Sequence, residues 1–305
     1  MKRLMLLLPL LTVLLTGCTD LTKRLSPDLL AADTGKNVRL AAHTTQESAV
    51  ITAETADIRL LPEALQNAAG AEIAPGHITM LLICGNPCAL LETALQQQWL
   101  PPTGSVLLLP ESACDALCSG EYPAAEQLTA AAETGLLPYR SADTVLGDLW
   151  GGSGITALHT AENGRLTLLL HDSDRQYGTL SEAACRGLAL LGNRWNSFSF
   201  ACGDTACRLR RTRLQIRVTE QDGRLRIAVS GTVFAEQDMP DGAEQILTGM
   251  LTAALDETAR AAGADLLFLR ESAVRAGIRR AKTCTQAEWA ALLRDAAYTV
   301  RISVR

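Results

Sequence analysis

The stretch Ile78-Thr79-Met80-Leu81-Leu82-Ile83, closed by Cys84-Gly85, has the length of a strand and no polar face. Alternation of apolar and polar residues marks a strand wetted on one side, whereas a continuous apolar run marks one buried on both. Pro87 stands where it can open a helix, and Leu90, Leu91, Ala94, Leu95 and Trp99 recur at helical spacing until Pro101-Pro102 stops them. Val106-Leu107-Leu108-Leu109 repeats the buried texture, ends at Pro110 and leads into a short helix through Cys118. Another helix is expected from Ala124 to Glu133. Strand, helix, strand, helix calls for a parallel pair covered by helices, because a crossover between parallel strands must lie on a sheet face.

Outward from this centre the texture changes on both sides. Toward the N-terminus a short helix is expected over Pro62–Ala69 and strands over Val38–Ala42 and, within an otherwise polar segment, Leu29–Ala32. Toward the C-terminus a break falls at Trp150-Gly151-Gly152-Ser153-Gly154. Beyond it Ile155–Thr160 and Arg165–His171 flank the hairpin turn Glu162-Asn163-Gly164, and Leu180–Leu191 reads as a helix stopped by Gly192-Asn193. Leu214, Ile216 and Val218 alternate with Arg213, Gln215 and Arg217, and Asp222-Gly223 turns that strand back into Leu225, Ile227 and Val229. Asp241 with Glu244, and Thr285 with Glu288, have the spacing of capping boxes, and Val300, Ile302 and Val304 alternate in a final strand. The expected class is α/β (α+β): an N-terminal mixed or parallel sheet with helices over residues 37–147, then C-terminal helices packed on a mainly antiparallel sheet over 150–305, open to a subdivision near 208.

The chain has 305 residues, a net charge of −5, 48% hydrophobic and 20% charged residues, which is globular composition and excludes wholesale disorder and fibrous classes. The acidic balance argues against nucleic acid as a partner, and 4% aromatic residues argue against stacking platforms. Lys2 and Arg3, the apolar run Leu4–Leu15 and the closing Leu15-Thr16-Gly17-Cys18 read as a secretory signal ending in a lipobox. Residues 1–17 are therefore expected to be removed, Cys18 to carry lipid, and 18–36 to act as a tether on the outer face of a membrane. The apolar run falls short of the ~20 residues of a spanning helix.

Catalytic signatures are missing: there is no Gly-x-Ser-x-Gly elbow, phosphate loop, dinucleotide fingerprint or His-Glu-x-x-His. Ser153 sits among linker glycines, His171-Asp172-Ser173-Asp174 has the composition of a turn, and His77 stands at a strand entrance, so each is read as structural. No catalytic residue, cofactor or metal is expected. The cysteines say more. Lipidation of Cys18 leaves eight of the nine. Cys84 and Cys88 follow the first buried strand, and Cys114 and Cys118 follow the second, so parallel pairing gathers a candidate cysteine cluster at one sheet edge. Disulfides are the default outside the membrane; a zinc site is the alternative, although Cys-x3-Cys is not the usual knuckle spacing. That edge is also where open α/β sheets bind ligands. Cys202 and Cys207 flank Gly203–Ala206, a hairpin-loop length that would set them opposite each other as a disulfide. Arg208, Arg210, Arg211, Arg213, Arg217, Arg224 and Arg226 form a basic stripe, readable as a solvated face or as a contact for anionic lipid headgroups or an acidic partner.

Several pieces in order resemble the Ger(x)C family, the lipoprotein C subunits of spore germinant receptors. They are the lipobox, Leu29-Leu30-Ala31-Ala32-Asp33, Glu63-Ala64-Leu65, Gly76-His77 leading into Leu81-Leu82-Ile83-Cys84-Gly85, the hairpin Ile155–Leu170, and Leu180-Ser181-Glu182-Ala183-Ala184-Cys185-Arg186-Gly187-Leu188. Gly263-Ala264-Asp265, Trp289 and the closing Val300–Val304 strand complete the pattern. The resemblance implies a non-enzymatic subunit on the outer face of the inner spore membrane, assembled with integral membrane subunits to trigger germination on sensing a nutrient. The alternative from the residues is a stand-alone lipid-anchored solute-binding protein of the cell envelope.

Overall fold

The computed structural model describes residues 24–44, 49–74, 77–162 and 164–305; Cys18 and the lipobox lie outside them. In chain order the first half comprises β1 (Arg24–Leu25), β2 (Pro27–Asp33), β3 (Val38–Thr44), β4 (Ala49–Thr55), α1 (Leu61–Ala69), β5 (Glu72–Ile73), β6 (Met80–Cys84), α2 (Pro87–Gln96), β7 (Ser105–Leu108), α3 (Ala113–Ser119), α4 (Ala125–Glu133) and α5 (Ala142–Trp150). The second half comprises β8 (Thr156–Glu162), β9 (Arg165–His171), β10 (Gln176–Thr179), α6 (Glu182–Gly192), β11 (Phe198–Cys202), β12 (Thr205–Gln221), β13 (Arg224–Ala235), α7 (Ala243–Leu255), a π-helix (Asp256–Ala262), α8 (Leu269–Arg275), α9 (Arg279–Thr283), α10 (Gln286–Arg294) and β14 (Ala297–Val304).

An eight-stranded mixed sheet runs in the order β10-β9-β8-β7-β6-β2-β3-β4. Its centre is the parallel set β2, β6, β7 and β8, paired for instance at Leu82↔Leu107 and Leu107↔His159. The central run of β6 is apolar throughout because both faces are covered. Leu81 and Ile83 pack with α1, α2 and α5, whereas Met80 and Leu82 pack with α3 and α4. Helix starts are set locally. The Asn86 side chain accepts from Cys88 N at 2.9 Å with Pro87 in the first turn of α2, and Ser112 accepts from Asp115 N at 3.1 Å at the start of α3. Asp33, at the end of β2, reaches across to the same helix end, accepting from Ala113 N and Ser112 Oγ, both at 2.6 Å.

The four-stranded sheet, order β11-β12-β13-β14, is antiparallel except for the β13–β14 pair. Phe198, Phe200, Leu209, Val229 and Val233 face α6 and α7, and Val218, Leu225 and Ile227 face Trp289 and Leu293 of α10. The Asp222-Gly223 hairpin turn has φ of 54° and 72°, the doubly positive geometry of a tight primed turn. The Thr285–Glu288 capping box forms, with Glu288 accepting from Thr285 N at 2.7 Å. The one expected from Asp241 and Glu244 does not: α7 is preceded by Gly242 in a left-handed conformation with no side-chain cap.

Three of the expected boundaries are corrected. Residues 27–33 of the expected tether are β2, a central strand between β6 and β3, whose short apolar run is extended by partners on both sides. The division expected at about 150 falls within one unit, because β8, β9 and β10 join the N-terminal sheet through β7. The Gly151–Gly154 segment is a docked turn rather than a free linker: Ser153 Oγ accepts from Asp265 N at 2.9 Å, and the Gln286 amide donates to the carbonyls of Leu149, Trp150 and Gly151. Residue 208 lies inside β12, so no subdivision occurs there.

Candidate functional site

The expected cysteine cluster is split by the sheet. Cys84 and the buried Cys114 pack on the face covered by α3 and α4, with Cys114 Sγ 3.7 Å from Ala31 O. Cys88 packs on the opposite face with α2 and approaches Asp172 O, and Cys118 is exposed at the far end of α3. Parallel neighbours β6 and β7 do form, but their crossover helices leave to opposite faces, and the thiols follow the helices. Burial pushes the thiols of Cys88 and Cys114 up to about 11 and about 12, with Asp174 and Asp172 adding at Cys88 and Asp33 adding at Cys114, which favours the protonated form of both. Among the described residues no group of three or more His, Cys, Asp or Glu is placed to hold a metal.

The disulfide geometry expected for Cys202 and Cys207 is also corrected. The β11–β12 loop has two residues, not four: Cys202 lies opposite Thr205, and Cys207 lies opposite Phe200. The cysteines are diagonal neighbours on the buried face, a relation in which β-carbons lie roughly 7 Å apart or somewhat less, rather than the ~3.5–4.5 Å a disulfide takes. Both thiols are free in the structure.

His171-Asp172-Ser173-Asp174 forms the β9–β10 turn. Asp172 Oδ1 accepts from Asp174 N at 2.8 Å and Arg175 N at 2.7 Å, and Tyr177 donates to Oδ2 at 2.8 Å, so its carboxylate is occupied. A second carboxylate, Asp265, fixes the C-terminal lobe. It accepts from Leu269 N at 2.6 Å, Arg270 N at 2.8 Å and Trp289 Nε1 at 2.8 Å, while burial pushes its carboxyl up against those bonds. Arg140 pairs with Asp148 in the interior, both also bonded to Thr156. Asp265 and the Arg140–Asp148 pair act as internal fasteners, and Asp172 fastens the β9–β10 turn.

The exposed chemistry collects on the outer face of the four-stranded sheet. Alternation on β12 turns Leu209, Thr212, Leu214, Ile216 and Val218 inward and Arg208, Arg213 and Arg217 outward. A bulge between Leu209 and Arg211 leaves Arg210 as the extra residue and brings Arg211 outward opposite Phe234. The guanidinium carbons of Arg211 and Arg213 lie 4.6 and 5.6 Å from the Phe234 ring centre, which fixes all three on one face. Arg226 on β13 and Arg301 on β14 complete the set, since their neighbours Leu225, Ile227, Val300 and Ile302 are turned to the core.

These six arginines are exposed and, among the described residues, none is ion-paired. No Asp or Glu takes an outward position on the four strands. Their cross-strand partners are neutral: Arg213↔Thr232, Arg217↔Ala228, Thr219↔Arg226 and Ser230↔Arg301, so no two like charges stand directly opposite. Arg224 of the expected stripe is drawn off by Asp295 at the far turn. Arg301 falls outside the stripe read from the sequence because its strand partner is set by the parallel β13–β14 pairing, although its alternation with Val300 and Ile302 is visible there.

A solved structure described as "Crystal Structure of the GerBC protein" superposes with a TM-score of 0.58 at 11% sequence identity, covering 90% of this chain and 96% of that one. The chain has the GerBC fold. No family model and no curated protein matches the sequence.

Proposed function

We propose that this chain is a non-enzymatic lipoprotein subunit of a nutrient-sensing spore germination receptor. Lipid on Cys18 would hold it at the outer face of the inner spore membrane, where it assembles with integral membrane subunits. The observation that carries the reading is the end-to-end fold likeness to GerBC, in a chain whose sequence begins with a lipobox. The buried Asp265 and Arg140–Asp148 pair, and Asp172 in its turn, support it, since they are engaged in holding the fold. A stand-alone solute-binding protein calls for two similar lobes around a cleft, whereas the two larger sheets here differ in strand number and topology. Deletion of the gene in a spore-former without a related receptor tests the reading. Loss of nutrient-triggered germination is expected, and a normal response to every nutrient would sink it. A tagged chain should also draw down integral membrane subunits from detergent-solubilised spore membranes.

A further inference from the structure

We propose that the outer face of the C-terminal sheet is a docking surface for the anionic headgroups of a lipid bilayer. Arg208, Arg211, Arg213, Arg217, Arg226 and Arg301 sit on one face that no described element covers, without an ion-paired acid among the described residues. This concentration of cation occurs in a chain of net charge −5, so the positive field belongs to this face and not to the protein as a whole. From Arg208 to Arg217 the strand spans ~30 Å at about 3.3 Å per residue, and β14 lies two strand spacings away, ~10 Å. The arginines are thus spread over one sheet face, an arrangement suited to a surface of phosphates, and a guanidinium binds phosphate through two parallel hydrogen bonds.

Composition separates lipid from a protein partner. A stable protein interface has a desolvated apolar centre with a few buried anchors. Here the outward positions beside the arginines are Gln215, Thr219, Ala228, Ser230, Thr232 and Ser303, and the single aromatic, Phe234, is half-buried under two guanidinium groups. Headgroup attraction needs no apolar centre; it stays wet and scales with charge. Each arginine close to an anionic leaflet strengthens attachment about fivefold, and the effect fades within a Debye length. A tethered body has its local concentration supplied by the anchor, so such a face would set its orientation.

The inference rests on the lipid-anchor part of the proposed function, and the test separates the two. The full lipidated chain is reconstituted on vesicles of phosphatidylcholine alone or with phosphatidylglycerol, floated, and labelled with phenylglyoxal, the modified arginines being mapped by mass spectrometry. Flotation with both vesicles reports the anchor; its failure on both would count against the tether. On the anionic vesicles the six arginines should label at least fivefold more slowly than on the neutral ones, with the exposed Arg165 and Arg175 of the other sheet unchanged, and 0.5 M salt should remove the difference. The triple variant Arg213→Gln, Arg217→Gln, Arg301→Gln should deprotect Arg208, Arg211 and Arg226 while keeping the parent urea midpoint. Equal labelling on both vesicles overturns the proposal. So does protection seen only in native membranes that carry partner proteins, which would assign the face to an acidic protein.

Discussion

Replacing Gly187 by alanine sets two opposed effects against each other, and the structure decides which wins. Gly187 lies where α6 crosses α7. A β-carbon there would stand 2.0 Å from the Met250 carbonyl oxygen, 2.7 Å from its carbon and 2.8 Å from Ala254 Cβ. Non-bonded contacts are comfortable at roughly 3.5 Å, so the helices must part by about 1 Å or more. Met250 offers backbone rather than a side chain that can swing aside. Overpacking a well-filled core costs about 1–3 kcal/mol, and a rigid obstacle puts this site at the upper end. Against that, alanine gains about 1 kcal/mol over glycine inside a helix. The net is a loss of about 2 kcal/mol, or a Tm lower by roughly 3 °C for a chain of this size. Gly249, exposed on α7 with nothing within 4 Å of the place a β-carbon would take, supplies the control: there the helical gain stands alone, and Gly249→Ala should stabilise by about 0.5–1 kcal/mol. Urea unfolding followed by circular dichroism reads both. A Gly187→Ala midpoint equal to or above the parent refutes the close crossing.

Two further outcomes follow from buried groups. Burial holds the His159 imidazole down to about 4, with Pro138 O accepting from its ring nitrogen. A depressed folded value means that stability is fully present above the unfolded value near 6.5 and is lost as pH falls toward 4, by up to about 3 kcal/mol. The buried Asp148 and Asp265, both pushed up, work in the opposite sense, so the His159 contribution is read as the parent-minus-His159→Gln difference in urea midpoint between pH 7 and pH 4.5; a pH-independent difference contradicts it. Non-reducing peptide mapping should recover Cys202 and Cys207 unlinked to each other, and a Cys202–Cys207 peptide would show that the hairpin register differs from Cys202↔Thr205.

Features under the control of a few consecutive residues are legible in the chain alone. The apolar runs of β6 and β7 announce strands buried on both faces, Pro87 and the Thr285–Glu288 pair mark helix starts, and Asp222-Gly223 marks a hairpin. The alternation on β12 likewise puts arginines and aliphatics on opposite faces, whichever strands pair with it. Features that depend on partners distant in the chain emerge only on folding. Leu29–Ala32 reads only as a short strand within a polar tether until β3 and β6 flank it and extend it to Pro27–Asp33 as a central strand. Gly151–Gly154 reads as a linker until Asp265 and Gln286 grip it. Cys84, Cys88, Cys114 and Cys118 read as one cluster until α2 carries Cys88 to the other face of the sheet, and Arg301 joins the arginine face only through the parallel β13–β14 pairing. A sequence pattern specifies which face of an element is apolar; which other element meets that face is fixed only when all of them compete to bury their surfaces together.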